Sequence, residues 1–129
     1  MARYLLDTGL VIQHLRGKRP IVQLLRALGK TERFAISAVT RLEIHAGMKP
    51  DERYATQKLL SRFLTLDLNR QIADQAGDLI RERETKGQNL GVPDAIIAAT
   101  GVAHGLTLIT LNRADFDSIP GLSLFPFPD

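Results

Sequence analysis

Four acidic residues stand where buried strands and helices, rather than polar surfaces, carry them: Asp7, Glu43, Asp94 and Asp115. Asp7 ends the short apolar run that starts at Arg3. Glu43 lies between Leu42 and Ile44 and shares a helix face with Val39 and Gly47, four residues to either side. Asp94 follows Pro93 and opens the apolar run Ala95–Val102, and Asp115 follows Leu106–Thr110. Carboxylates that converge in a cleft repel one another unless a cation lies among them. An all-oxygen donor set selects a hard cation, Mg²⁺ or Mn²⁺, which does Lewis-acid and water-activating chemistry.

Each acid also has a plainer role open to it. Asp7 fits the N-cap of a helix that begins after Thr8. Asp94 fits the first turn of a helix, where it complements the dipole. Glu43 fits a solvated helix face, and Asp115 an ordinary loop, with Asp117 two residues on as a competitor for its role. The case for a site rests on all four together. The remaining acids, among them Glu32, Asp51, Glu52, Asp74, Asp78, Glu82, Glu84 and Asp129, fall on polar helix faces, at helix starts or in the tail. His14, His45 and His104 are isolated, with no H-x-H or H-E-x-x-H spacing. No serine-centred elbow, G-x-G-x-x-G or P-loop is present, which argues against the common hydrolase, dinucleotide and nucleotide-triphosphate classes.

These acids need elements to deliver them. Arg3–Leu6, Arg33–Ser37 and Leu106–Thr110 read as buried strands, with Thr65–Leu68 and Leu122–Phe125 as shorter ones. Helical spacing covers Leu10–Leu15, Pro20–Leu28 and Val39–Met48. A fourth helix starts at Pro50-Asp51-Glu52 and carries the stripe Leu59, Leu60, Phe63, Leu64. Asn69 caps a long helix that ends near Lys86-Gly87. Val92-Pro93-Asp94 opens one that is apolar on nearly every side, and hence deeply buried, and that Gly105 ends. Strands alternating with helices predict an α/β fold: a mainly parallel sheet of four to five strands, helices on both faces, and ligands beyond the carboxyl ends of the strands. Topology then brings Asp7, Asp94 and Asp115 to one edge, and Glu43 reaches it from the first turns of its helix.

The chain has 129 residues, 44% hydrophobic and 24% charged, a size and composition that suit a single domain spanning 1–129 with its own core. The absence of cysteine excludes a disulfide scaffold, a thiolate metal site and a cysteine nucleophile. No apolar run approaches the roughly 20 residues needed to cross a bilayer. The opening residues meet Asp7 too soon for a signal-peptide core, so a cytoplasmic location is expected. Seventeen bases, twelve of them arginine, stand against fourteen acids, for a net charge of +3. Setting aside the four site acids leaves +7 on the rest of the chain, a balance that suits phosphate-bearing partners.

Taken in order, the stretches Leu5-Leu6-Asp7-Thr8, Ser37-Ala38-Val39-Thr40-Arg41-Leu42-Glu43, Pro93-Asp94-Ala95-Ile96-Ile97-Ala98-Ala99 and Thr110-Leu111-Asn112-Arg113-Ala114-Asp115-Phe116 span the chain. So arranged, the sequence resembles the PIN-domain ribonucleases, and most closely the VapC toxins of type II toxin–antitoxin pairs. The resemblance implies a PIN-like fold and a Mg²⁺-dependent endoribonuclease acting on a structured RNA, tRNA or rRNA. Asp7, Glu43, Asp94 and Asp115 match the family's acidic tetrad, while Thr110 and Asn112 match its Thr-x-Asn. Thr8 and Asp117 stand beside the tetrad as supporting or substrate-facing residues. Asp7 and Asp94 are expected as the most direct metal ligands, with Glu43 and Asp115 working through water or on a second ion. Where the family often has Thr-Asn after the first aspartate, this chain has Thr8-Gly9.

The resemblance further implies a VapB-type antitoxin, seated in a groove between the early helices and inserting a basic side chain toward the acids, and a homodimer. Two other readings compete. One keeps the fold but makes it an RNA-processing or RNA-binding protein without toxin activity. The other is a receiver-like phosphoacceptor domain, which needs an acid pair after the first strand and a lysine near the fifth; here the first strand supplies only Asp7, and no lysine follows Lys86.

Overall fold

A computed structural model describes residues 2–127; residue 1 and residues 128–129, with the tail acid Asp129, lie outside the described residues. Five strands form one sheet in the order β3-β2-β1-β4-β5, and every neighbouring pair is parallel. The strands are β1 (Ala2–Leu6), β2 (Arg33–Ser37), β3 (Leu64–Leu66), β4 (Thr107–Ile109) and β5 (Ser123–Leu124). The helices are α1 (Thr8–Leu15), α2 (Arg19–Leu28), α3 (Ala38–Gly47), α4 (Arg53–Leu60), α5 (Arg70–Thr85), α6 (Val92–His104) and the single-turn α7 (Arg113–Phe116). A receiver-like domain has the strand order 2-1-3-4-5, so this order removes that alternative.

Two-residue alternation along the central strands divides the core between the sheet's faces. Leu5 pairs with Ala35 and Leu108 across the ladder, and all three pack with Ile97, Ala98 and Phe116 on the face covered by α6. Tyr4, Leu6, Phe34, Ile36 and Ile109 point the other way, against Leu10, Ile21 and Leu60 of α1, α2 and α4. With both faces covered, the strands read as continuous apolar runs. A crossover helix must return from the carboxyl edge of one strand to the amino edge of the next, so α1, α3 and α6 all begin at the carboxyl edge.

Helix α6 is buried from Ala95 to Gly101, as its uniformly apolar sequence predicts. At Gly101 a Cβ would lie 2.8 Å from Leu122 Cδ1 and 3.5 Å from Leu5 Cδ2, so glycine lets α6 settle close to the sheet. Gly105 ends the helix at φ 63°, the left-handed conformation that glycine adopts without steric cost.

Three local expectations need correction. Pro50–Glu52 forms a 3₁₀ turn, with Glu52 accepting from the Lys49 N–H, and the α-helix begins only at Arg53. That helix stops at Leu60, so Phe63 and Leu64 are not part of its stripe; Leu64 starts β3, which ends at Leu66 instead of Leu68. The reason is pairing: β2 ends at Ser37, opposite Leu66, and offers no further partner. Asp115 lies on the α7 turn and not in an irregular loop.

Candidate active site

Asp7 follows the last residue of β1 and its backbone N–H donates to the Ile109 carbonyl at 3.1 Å, extending the ladder to β4 by one step. That places it beside Thr110, the first residue beyond β4. The Asp7 carboxylate is buried, 5% exposed, and each oxygen has one partner: Oδ1 accepts the Thr8 N–H at 2.8 Å, and Oδ2 accepts the Thr110 hydroxyl at 2.6 Å. Asp7 is therefore the N-cap of α1, and capping leaves its place at the carboxyl edge of β1 open to a role as a site acid. The Thr110 hydroxyl in turn accepts the Asn112 N–H at 3.0 Å, so Thr-x-Asn is a local turn aimed at Asp7.

Glu43 sits in the second turn of α3, a helix capped by Ser37 at the end of β2. The Thr8 hydroxyl lies 2.9 Å from both Glu43 Oε1 and Thr40 Oγ1. A hydroxyl has one proton. Given to the carboxylate, it leaves the Thr8 oxygen to accept from Thr40. Thr40, fully buried and one helical turn before Glu43, is a supporting residue that the sequence reading quoted but did not single out. Its i, i+3 spacing to Glu43 was the available signal.

The electrostatics link Asp94 to the other three acids. The Asp94 carboxyl is pushed up to about 6, first by burial and then by repulsion from Asp7, Asp115 and Glu43. Asp7 is raised by burial, is held back by its bonds from Thr110 and Thr8, and is raised further by Asp115. Asp94 thus senses the other three acids, and Asp7 senses Asp115, across the space between them at the carboxyl edge. Asp117 is exposed and acts on neither group. Asp67, which also follows a strand, is two strands away from β1 and acts on neither. Asn112 is exposed at the rim, beside the exposed Leu111.

Among the described residues, no group of three or more His, Cys, Asp or Glu side chains is placed so that it could hold a metal ion. Mg²⁺ keeps several waters and takes only one or two carboxylates directly, so a pair of carboxylates is enough to hold it. The donor chemistry fits: oxygen only, negative, and with two carboxyls held above their ordinary range by burial and by neighbours of like charge. Asp7 is buried, Asp94 is half-buried at the start of α6, and Asp115 is exposed on α7. Gly9 borders the site with nothing within 4 Å of where a Cβ would lie, so the family's more usual asparagine fits the space.

One consequence is testable at Thr110. Thr110→Val keeps the shape of this buried side chain and removes the hydrogen bond that lowers Asp7. Cation affinity, followed as the Mg²⁺ concentration for half-maximal activity, is expected to weaken by about 10–100-fold with the fold intact. An unchanged Mg²⁺ requirement counts against Asp7 as a ligand.

The parallel sheet in this strand order, with acids gathered at its carboxyl edge, defines the PIN-domain class. The chain belongs to that family, whose PIN domain matches residues 4–122. It is 35% identical over 108 residues to Ribonuclease VapC10 of Mycobacterium tuberculosis, covering 84% of this chain and 81% of the relative. It is 30% identical to the tRNA(fMet)-specific endonuclease VapC of Salmonella typhimurium, covering 96% of this chain and 97% of that one. Among solved structures, the DNA-bound VapBC of Salmonella typhimurium superposes with a TM-score of 0.84 at 28% identity, covering 97% of this chain and 98% of that chain.

Proposed function

We propose that this chain is a divalent-cation-dependent endoribonuclease of the VapC type, the toxin of a toxin–antitoxin pair, with Asp7, Glu43, Asp94 and Asp115 as its catalytic carboxylates. The observation that carries this reading is Asp94, whose carboxyl is raised to about 6 with Asp7, Asp115 and Glu43 all contributing. A bound Mg²⁺ or Mn²⁺ supplies Lewis-acid stabilisation of the phosphate charge and a more acidic water. The protein's part is positioning. Asp7 and Asp94 hold the cation, and Thr110 and the Thr8 N–H fix the rotation of Asp7. Thr8 fixes Glu43 through Oε1 and leaves Oε2 to accept a proton or a water-mediated contact. Asp115 adds charge from the exposed side, and it is the preferred fourth acid over Asp117 because Asp7 and Asp94 both respond to it. Asn112 is placed to meet substrate.

The substrate in this reading is a folded RNA, as in the relative named for tRNA(fMet). Aromatic residues make up 5% of the chain and tryptophan is absent, so a stacking platform for a long single strand is lacking. Cations such as Arg16, Lys49 and Arg113 suit contacts to phosphates, which give affinity that falls with salt and contain little base information. The partner is a VapB-type antitoxin. A cavity of about 520 Å³ between α1, α3 and α4 is lined by Ile12, Leu15, Ile44 and Met48 and reaches Glu43, so a segment seated there has access to that acid. A neighbouring one of about 620 Å³, against α2, has Leu25, Phe34, Leu59 and Phe63 beside Arg26 and Arg62. Self-association and a cytoplasmic location belong to the same reading; among the described residues no helix is long and apolar enough to cross a membrane.

The test is cleavage of total tRNA by the purified chain. Cleavage with Mg²⁺ or Mn²⁺, abolished by EDTA, together with growth arrest relieved by co-expressing the product of an adjacent small gene, is the expected result. Cation-independent cleavage, or none with either cation, contradicts the reading. Cleavage without growth arrest favours an RNA-processing role for the same fold.

A further inference from the structure

Asp115 has the least secure seat of the four acids. It is exposed, on a helix of one turn that has no side-chain cap. So short a helix cannot satisfy its own terminal carbonyls. Within the turn, the Asp117 N–H donates to the Arg113 carbonyl and the Ile119 N–H to the Phe116 carbonyl, and no backbone N–H is paired with the carbonyl of Asp115. The donor comes from 32 residues earlier. Arg83, in the last turns of α5, donates from Nη2 to the Asp115 carbonyl at 3.2 Å and to Ser118 Oγ at 3.0 Å. On the opposite side, Arg113 Nη1 donates to the Phe125 carbonyl at 3.0 Å, and Phe116 anchors the turn in the core at 1% exposure.

We infer that Arg83 is a positioning residue for the acidic site: it grips the main chain of α7 at Asp115 and Ser118 and so holds the Asp115 carboxylate over the hollow without neutralising it. The recorded contacts support the distinction. Arg83 bonds the Asp115 carbonyl oxygen, and its guanidinium forms no ion pair with the Asp115 carboxylate. A guanidinium bound to the carboxylate itself would compete with a cation; one bound to the carbonyl leaves both carboxylate oxygens available. Arg83 lies outside the motif blocks seen in the sequence, so the link between α5 and the site is visible only in three dimensions. The inference rests on the ribonuclease reading for what the site does, but the clamp itself does not.

The experiment measures Mn²⁺ affinity by calorimetry on the full chain, as a double-mutant cycle of Arg83→Ala and Asp115→Asn. Arg83→Ala is expected to weaken binding about tenfold, Ser118→Ala less, and Arg83→Lys to recover part of the loss. Arg83→Ala added to Asp115→Asn is expected to cost nothing more, because its effect passes through Asp115. Arg81→Ala, on the same helix but paired with Asp78, serves as control and leaves affinity unchanged. Amide exchange at residues 113–118 is expected to accelerate in Arg83→Ala while the rest of the fold stays protected. Wild-type affinity in Arg83→Ala, additive losses in the double variant, or unchanged exchange at 113–118 overturns the inference. A wild-type chain that binds no Mn²⁺ yet shows accelerated exchange in Arg83→Ala removes the ribonuclease reading, and with it the role given to Arg83, while leaving the contact itself intact.

Discussion

Asp94→Asn is expected to lower RNA cleavage by at least about 10³-fold while making the protein, in EDTA, more stable. The two effects have one cause. Asp94 is half-buried at the start of α6 and surrounded by Asp7, Asp115 and Glu43, an arrangement that raises its carboxyl to about 6. An amide of the same shape relieves that repulsion and at the same time removes a ligand charge. The stability gain is on the order of 1 kcal/mol, kept small because Asp94 is partly exposed and solvent screens the interaction. Single-turnover cleavage at saturating Mg²⁺ and urea unfolding in EDTA measure the two halves. A residue conserving structure alone would lose stability on substitution, and wild-type cleavage by this variant would remove Asp94 from the mechanism.

Cation and pH are expected to act on stability together. Asp7 and Asp94 both have folded-state carboxyls raised above the ordinary 3.8. A raised group favours the folded state most when both states are protonated, and the benefit fades as pH climbs through the folded value. In EDTA, the contribution of Asp94 is therefore expected to fall between about pH 4 and 6, and that of Asp7 to fall as pH rises above its ordinary value. His14 works in the opposite direction. Burial, with Arg62 and Arg26 nearby, lowers it, so its contribution grows as pH rises toward 6.5. The difference between wild type and Asp94→Asn isolates the acid. Above that window, Mg²⁺ is expected to restore what was lost, by about 2.7 kcal/mol at a hundred times its dissociation constant. Thermal melts over pH 4–8, with EDTA or Mg²⁺, measure this; equal Mg²⁺ effects at pH 4.5 and pH 7.5 contradict it.

The sheet and most of its helices were legible because the local signals agree with the packing. Arg33–Ser37 is a strand with the bounds its sequence suggests, and Asn69 does cap α5 through the Ile72 N–H. Errors arose where tertiary pairing sets the boundary. Leu64 has the spacing of a helical stripe, yet it is drawn into β3 opposite Ala35. The acids Asp7, Glu43 and Asp94 were visible because each interrupts an apolar run, and parallel topology sends such interruptions to one edge. Thr40 and Arg83 were not. A threonine on a buried helix face and an arginine in the last turn of a polar helix are unremarkable by type and spacing, and their roles arise from contacts made 32 to 35 residues away along the chain. What favours Asp115 over Asp117 as the proposed fourth acid is visible only in three dimensions: Asp115 raises both Asp7 and Asp94.

Crystals grown with Mn²⁺ and examined by anomalous diffraction put the metal-centred reading to its most direct trial. The expected peak lies between Asp7 and Asp94 at the carboxyl edge of β1, bound directly to at least one of them, with Glu43 and Asp115 reached directly or through one water. An ion bound elsewhere, or an empty hollow among these four acids at saturating Mn²⁺, contradicts it.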